Sequence, residues 1–166
     1  GIANPVGVKV GPSMDPALVQ GLCQVLNPRR EPGRLVLIHR MGAKQIEQKL
    51  PSLIEAVRAT DVPVLWTCDP MHGNTETTRS GLKTRRFDNI VSELEVAFQV
   101  HQAAGSYLGG VHFELTGEDV TECTGGARGL ADAALAKDYR SQVDPRLNYE
   151  QALELAMRIA AHARRR

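Results

Sequence analysis

Short apolar runs alternate with longer segments of helical spacing along the whole chain. Four runs each precede a segment in which apolar residues recur every three or four positions: residues 6–10, 35–38, 62–66 and 111–115. Near-continuous apolar runs are typical of parallel strands, and helices supply the crossovers that such strands require. The sequence therefore predicts an α/β fold in which helices cover a parallel sheet.

Apolar stripes mark the predicted helices. The stripe residues are Leu18, Val19, Leu22, Val25 and Leu26 in the first helix, Ile46, Leu50, Leu53, Ile54 and Val57 in the second, and Ile90, Val91, Leu94, Ala97 and Phe98 in the third. Ser13 or Asp15 is expected to cap the first helix. Further helical stretches are predicted near residues 130–139 and 148–163.

Length and composition indicate a single domain with its own core. The chain has 166 residues, of which 42% are apolar and 23% charged, and no low-complexity linker divides it. Its net charge of +1 favours neither nucleic acid nor an anionic membrane as a partner, and no apolar run reaches the ~20 residues of a membrane helix. The three widely spaced cysteines fit reduced thiols and a cytoplasmic location.

Two architectures fit this pattern. A complete (β/α)8 barrel takes about 250 residues for eight units, so about four units in 166 residues correspond to half of a barrel. A small open sheet of four parallel strands fits the periodicity equally well. In both architectures, functional side chains gather at the carboxyl ends of the strands.

Every predicted strand has an ionisable side chain near its carboxyl end. These residues are Lys9 in the first strand, Arg40 after the second, Asp69 and His72 after the third, and Glu114 within the fourth. A lysine in an apolar strand needs an anionic partner, which is either a ligand or a structural carboxylate such as Glu114. Arg40 suits a phosphate or carboxylate, with free amides of the turn at residues 41–43 helping to hold the anion. A helix cap or an interstrand salt bridge is the alternative for Arg40.

One histidine and two acids offer a set of metal ligands. His72 follows the third strand in a Pro–Gly turn, and with Glu114 and Asp144 it supplies nitrogen and oxygen donors. Such donors suit Mn²⁺, Co²⁺, Fe²⁺ or Zn²⁺. A surface loop histidine is the alternative for His72, and Cys68 is expected to pack as a small apolar side chain.

The segment at residues 74–86 is polar and basic. Its cations are Arg79, Lys83, Arg85 and Arg86. We interpret it as a loop that handles phosphate, because few aromatic residues accompany the cations for base stacking. A solvated, mobile connection is the alternative. The terminal segment 164–166, three arginines, is predicted to be a frayed basic tail.

Five segments resemble, in the same order, the class II, plant-like 3-deoxy-D-arabino-heptulosonate 7-phosphate (DAHP) synthases. They are NPVGVKVGPSM at residues 4–14, DPMHGN at 69–74, KTRRF at 83–87, ELTGEDVTEC at 114–123 and DPRLN at 144–148. The resemblance covers essentially the whole chain. It implies the carboxyl-terminal half, strands five to eight, of an eightfold β/α (TIM) barrel.

The resemblance also implies an activity and its residues. DAHP synthases condense phosphoenolpyruvate with D-erythrose 4-phosphate and water to give DAHP and phosphate, the first step of the shikimate pathway to aromatic amino acids. By motif, His72, Glu114 and Asp144 match the ligands of the divalent metal, expected to be Mn²⁺, Co²⁺, Zn²⁺ or Fe²⁺. Lys9 and Arg40 match the phosphoenolpyruvate-binding residues, and Lys83 matches the substrate-binding lysine of the basic loop. Lys9, Arg40 and His72 are the expected catalytic residues.

Several family features are missing from these 166 residues. They are the metal-ligating cysteine of the first barrel strand, the Lys-Pro-Arg-Ser and Gly-Glu-Arg-Thr segments, and one further arginine for phosphoenolpyruvate. The resemblance therefore predicts a chain that needs an amino-terminal half as its partner, is inactive alone and forms a homo-oligomer. A non-catalytic half-barrel used for binding or assembly is the alternative, and a different metal-dependent aldolase is a third hypothesis.

Overall fold

A computed structural model describes residues 2–163 of the chain. The predicted tail at residues 164–166 lies outside the described residues. The chain forms two compact units: residues 2–73 and 93–112 belong to the first, and residues 74–92 and 113–163 to the second. Within the described residues, no helix combines the length and apolarity needed to cross a membrane.

The order of elements follows the predicted alternation of strands and helices. The elements are β1 (Val6–Val10), α1 (Pro16–Leu26), β2 (Leu35–His39), α2 (Ile46–Arg58), β3 (Leu65–Cys68), a 3₁₀ turn (His72–Asn74), β4 (Thr75–Thr77), β5 (Lys83–Arg85), α3 (Phe87–Ala103), β6 (Leu108–Val111), a 3₁₀ helix (Asp132–Lys137) and α4 (Tyr149–Ala163). Strands β1, β2, β3 and β6 form one sheet in that order, and every pair is parallel. The predicted α/β fold with a parallel sheet is confirmed.

The two faces of the parallel sheet differ in burial. One face is made of fully buried side chains, among them Val10, Leu37, His39 and Cys68. Helices cover this face: His101 of α3 packs edge-on against Trp66 of β3, with ring centroids 5.6 Å apart. On the opposite face Lys9 is exposed, Ile38 is half-buried and Leu65 is exposed. Parallel sheets are normally covered on both faces, so one-sided covering is an unusual feature of this unit.

Three strands differ from their predicted bounds. The second ends at His39, one residue beyond the predicted run at residues 35–38. The third starts at Leu65 instead of residue 62, because Pro63 has no amide hydrogen to donate to a strand ladder. The fourth covers Leu108–Val111, a glycine-containing segment just before the predicted run at residues 111–115. Glu114 therefore follows β6 and does not lie within it, as the sequence had suggested.

The first helix buries a narrower stripe than predicted. Asp15 caps it, because its Oδ1 atom accepts a hydrogen bond from the amide of Ala17 at 2.8 Å. Val19 and Cys23 are fully buried, whereas the predicted stripe residues Leu18 and Val25 are 54% and 75% exposed. In α2, by contrast, all five predicted stripe residues are buried.

The second unit contains little regular structure besides a hairpin and a helix. The segment predicted as a loop forms this hairpin, with β4 and β5 antiparallel and Thr75 opposite Arg85. An isolated parallel bridge joins Leu115 to Leu147. Through it the amide of Leu147 donates to the carbonyl of Glu114 at 3.0 Å. This bridge holds the segment that follows Glu114 against the segment that follows Asp144.

Candidate active site

Asp69 organises the carboxyl ends of the strands in the first unit. Its carboxylate, wholly buried, accepts hydrogen bonds from the amides of Met71 and His72 at 3.0 and 3.1 Å. The same carboxylate pairs with Lys9 Nζ, and its Oδ2 atom lies 2.7 Å from His72 Nδ1. Burial alone would raise the pKa of Asp69, but the hydrogen bonds from Lys9 and His72 hold it below its usual range. Asp69 is therefore an anion that ties β1 to the turn after β3.

The contact with Asp69 fixes the imidazole of His72. A carboxylate that accepts from Nδ1–H leaves Nε2 as the basic nitrogen of the ring. The His72 side chain is 25% exposed, so the imidazole is partly accessible from solution. One ligand atom each from Asp69, His72 and His112 lies within 4.8 Å of the others. The first unit alone thus offers a group of donors able to hold a metal ion.

Lys9 is less buried than its place in an apolar strand predicts. Its side chain is 40% exposed, because it lies on the face of the sheet that helices do not cover. Its ion-pair partner is Asp69, whereas the structural partner suggested by the sequence was Glu114. An ammonium group that is both paired and accessible can bind an anionic ligand.

Arg40 reaches the same turn from β2. Its Nη2 atom donates to the backbone carbonyl of His72 at 2.9 Å, and its buried Nε atom has no hydrogen-bond partner. The amides of Met41 and Gly42, expected to help bind an anion, instead donate to Glu93 Oε1 at 2.8 and 3.0 Å. The expectation that these two amides are free to hold an anion was therefore wrong.

The second unit brings Glu114 and Asp144 to one buried cation. Arg85 is fully buried, and its Nη1 atom lies 2.5 Å from Glu114 Oε2 and 2.5 Å from the carbonyl oxygen of Pro145. Its Nη2 atom lies 4.0 Å from Asp144 Oδ2. Lys83 Nζ approaches the other oxygen of Asp144 at 3.3 Å. Both carboxylates are about one-third exposed, so a cation from solution can reach them.

A second buried carboxylate orders the loop that carries Asp144. Glu122, with no exposed side-chain surface, accepts from the amides of Arg140, Ser141 and Arg146 at 3.1, 2.9 and 2.7 Å. It also pairs with the Arg146 guanidinium through Nε at 3.0 Å and Nη2 at 2.8 Å. Burial opposes its charge, but the bonds from Arg146 keep the pKa of Glu122 below its usual range.

Sequence reasoning missed the organising roles of three residues. Asp69 was identified as a strand-end acid but not as the common partner of Lys9 and His72. Arg85 was predicted to lie in a loop that handles phosphate, yet it is among the largest fully buried side chains. Glu122 could not be distinguished in the sequence from the other acids that follow Glu114. Alternation along β5 does not predict the burial of Arg85: Lys83 and Arg85 are two positions apart and share a face of the strand, yet Lys83 is exposed and Arg85 buried.

Comparison with known proteins agrees with the strand-end motifs. The sequence profile of the class-II DAHP synthetase family matches residues 1–160. The chain belongs to the class-II DAHP synthetase family. It is 52% identical to phospho-2-dehydro-3-deoxyheptonate aldolase AroG of Mycolicibacterium smegmatis over 96% of the chain. It is 49% identical over 99% of the chain to the phospho-2-dehydro-3-deoxyheptonate aldolase of Neurospora crassa, and 48% identical over 96% to that of Streptomyces coelicolor.

The chain matches only part of the length of each of these DAHP synthetase relatives. The chain spans 34% of the relative from M. smegmatis, 34% of that from N. crassa and 35% of that from S. coelicolor. About two-thirds of each relative therefore has no counterpart in these residues. Membership of the family is established along nearly the whole chain.

Proposed function

We propose that the chain forms the carboxyl-terminal four β-α units, strands five to eight, of a (β/α)8 barrel. Two observations support this architecture over the alternative, a small open sheet of four parallel strands. Helices cover one face of the sheet while Lys9 and Leu65 are exposed on the other, which suits the inner wall of a barrel. The sheet ends at β1 and β6, whose outer edges pair with no strand among residues 2–163. An amino-terminal half would supply the missing strands and cover both edges.

The proposed reaction is the aldol-type condensation of phosphoenolpyruvate with D-erythrose 4-phosphate. A bond forms between the methylene carbon of phosphoenolpyruvate and the aldehyde carbon of the sugar. Water adds at the enol carbon, and phosphate leaves, giving DAHP. The single observation that carries the proposal is family membership over residues 1–160 together with the Lys9–Asp69–His72 arrangement at the strand ends.

We propose that His72, Glu114 and Asp144 hold the divalent metal of this reaction, with Mn²⁺ or Co²⁺ first and Zn²⁺ or Fe²⁺ as alternatives. The residues fit such an ion: Asp69 orients the His72 imidazole, and Glu114 and Asp144 are partly exposed carboxylates held beside one another. One nitrogen and two oxygen donors suit these cations. When bound, the metal supplies a Lewis acid for the sugar aldehyde.

The cationic side chains have separate tasks in this proposal. Lys9 and Arg40 bind the carboxylate and phosphate of phosphoenolpyruvate, because both cations contact the turn that carries His72, Lys9 through Asp69 and Arg40 through the His72 carbonyl. Lys9 also gives a proton to the new alkoxide, with Asp69 holding its Nζ atom in place. Lys83, 55% exposed, contacts a substrate phosphate.

A chimeric enzyme tests the proposal. This chain replaces the matching third of the M. smegmatis relative, and formation of DAHP and phosphate from the two substrates is measured. We expect steady turnover, and we expect Lys9→Ala to lower kcat/KM by at least about a hundredfold. Lys49→Ala, an exposed lysine of α2, is the control and should leave activity unchanged. A loss below about tenfold in Lys9→Ala would contradict the assigned role.

The alternative, a non-catalytic half-barrel for binding or assembly, makes a different prediction. It requires that the chimera be inactive while the chain still associates with another copy or a partner through its sheet edges. Our proposal requires activity in the chimera and none in the isolated chain. A homo-oligomeric state and a cytoplasmic location stay predictions, and analytical ultracentrifugation of the chimera tests the first of them.

A further inference from the structure

A second group of metal-ligand side chains lies on the helix-covered face of the first unit. His39 of β2, Cys68 of β3 and Glu93 of α3 are all fully buried. One ligand atom from each lies within 4.8 Å of the other two. These three residues, the His39 cluster, have no part in the proposed reaction, because they lie on the face opposite to Lys9.

His39 is chemically unsatisfied within this cluster. Neither of its ring nitrogens has a hydrogen-bond partner, although the side chain has no exposed surface. Buried polar groups are normally paired, since leaving one unpaired destabilises the folded state. The nearby aromatic rings give it no such partner: Trp66 and His101 contact it through ring packing, with centroid distances of 6.2 and 5.5 Å. Both imidazole nitrogens of His39 are therefore available for coordination, beside a thiol and a carboxylate.

We propose that His39, Cys68 and Glu93 form a binding site for a borderline-soft divalent cation of the Zn²⁺ class. A thiolate, an imidazole and a carboxylate are the three ligand types that Zn²⁺ takes in proteins, at about 2.0–2.3 Å in tetrahedral geometry. The thiol distinguishes this site from the nitrogen and oxygen donors at the strand ends, because thiolate selects softer metals than Mn²⁺.

The protonation states of the cluster fit this role. Burial, with a smaller contribution from His101, lowers the pKa of His39 to about 3, so its imidazole is neutral and able to coordinate. Burial raises the pKa of the Cys68 thiol well above its usual value, so the metal must displace a proton when it binds.

The cluster lies one residue from two of the strand-end groups. His39 precedes Arg40, and Cys68 precedes Asp69. The carboxylate of Glu93 also accepts from the amides of Met41 and Gly42 in the turn after β2. A cation held by the cluster would cross-link β2, β3 and α3 and stabilise the first unit, because a ligand that binds only the folded state raises its stability.

Co²⁺ is the probe that tests the proposal without any need for activity. The metal-free 166-residue chain is titrated with Co²⁺, and near-ultraviolet absorption from thiolate-to-cobalt charge transfer is recorded. We expect one equivalent to produce this absorption and Zn²⁺ to abolish it by displacement. His72→Ala should leave the signal intact, since the strand-end donors include no thiol. Absence of thiolate absorption in the wild-type chain overturns the proposal.

Matched variants assign the signal. Cys68→Ser should remove it, whereas Cys123→Ser, which alters a thiol equally buried in the second unit, should retain it. If Cys68→Ser fails to fold, His39→Gln provides the second test, with Zn²⁺ affinity expected to fall by at least about tenfold. Equal affinity in His39→Gln, or an unchanged signal in Cys68→Ser, would show that the cluster is not the site.

Discussion

The Nδ1 atom of His72 lies 2.7 Å from Oδ2 of Asp69, a carboxylate with no exposed surface. Only two residues separate them in sequence, and the tight turn after β3 folds the imidazole back onto the acid through the amides of Met71 and His72. The arrangement has the form of the carboxylate–histidine pair that orients metal-binding imidazoles. It gives His72 a fixed direction before any ligand arrives.

Replacement of Asp69 by asparagine tests this orientation. In the chimeric enzyme, Asp69→Asn should weaken Mn²⁺ binding by about 10–100-fold. The carboxylate of Asp69 aligns the His72 ring and makes it more basic, and the asparagine variant loses that negative charge. Isothermal titration calorimetry measures the affinity. Glu55→Gln, which changes an exposed acid of α2, is the control. Equal affinities in Asp69→Asn and wild type would show that Asp69 does not support the metal ligand.

Arg85 and its neighbour Arg86 form a matched pair for a stability experiment. Arg85→Gln should lower the free energy of unfolding by about 3 kcal/mol, because it removes a fully buried guanidinium from its ion pair with the partly exposed Glu114 and breaks a bond to the carbonyl of Pro145. Arg86 is half-exposed in its pair with Glu76, so Arg86→Gln should cost less than about 1 kcal/mol. Urea denaturation of the chain distinguishes the two. Equal costs would mean that the burial of Arg85 contributes nothing.

The buried carboxylate of Glu122 should make the free energy of unfolding depend on pH in the acidic range. Its folded pKa is depressed, so the unfolded chain binds the proton more readily and stability must fall as pH decreases through the folded value. Above the unfolded pKa of about 4.3 the contribution is complete. Glu122→Gln should therefore cost about 3 kcal/mol at neutral pH, and this difference from wild type should shrink below about pH 4.3.

A neighbouring acid is the control for that experiment. Glu118 is 52% exposed in its pair with Arg140, so Glu118→Gln should change the free energy of unfolding by less than about 1 kcal/mol at any pH. Urea denaturation at several pH values gives both curves. A penalty in Glu122→Gln that stays constant from neutral pH to strong acid would contradict the assignment.

Substitution of Gly73 tests whether the turns after β2 and β3 must lie close together. A Cβ atom at this position would lie 2.4 Å from the amide nitrogen of Gly42, so Gly73→Ala should force the turns after β2 and β3 apart and cost about 1–3 kcal/mol. No atom lies within 4 Å of a Cβ added at Gly11, which makes Gly11→Ala the control with an effect within about 0.5 kcal/mol. Thermal unfolding measures both. A neutral Gly73→Ala would mean that the turns can separate freely.

The sheet and α2 could be predicted because apolar periodicity reports burial directly. All five stripe residues of α2 are buried, and β1 has the predicted bounds. The exposure of Lys9 differs from the prediction. A residue in a parallel strand is expected to be buried because both faces of such a sheet are normally covered, but the face that carries Lys9 is exposed. The exposure of Leu18 and Val25 likewise depends on how much of α1 the neighbouring elements cover, which periodicity does not determine.

The strand-end residues could be located from sequence, but their partners could not. Lys9 and Asp69 are 60 positions apart, so their ion pair depends on the parallel register of β1, β2 and β3. Arg85 looks like one more solvated cation in a basic segment, and only the fold buries it between Glu114 and Asp144. Local patterns thus give the positions of functional groups, whereas tertiary contacts decide which charge faces which.

Mn²⁺ binding by the chimeric enzyme tests the central claim most directly. If His72, Glu114 and Asp144 hold the ion, then His72→Ala, Glu114→Gln and Asp144→Asn should each weaken binding by at least about tenfold. His112→Ala should leave the affinity unchanged, although His112 lies beside His72 with ring centroids 6.1 Å apart. Full affinity in Glu114→Gln and Asp144→Asn, with a loss in His112→Ala, would contradict the account and place the ion among Asp69, His72 and His112.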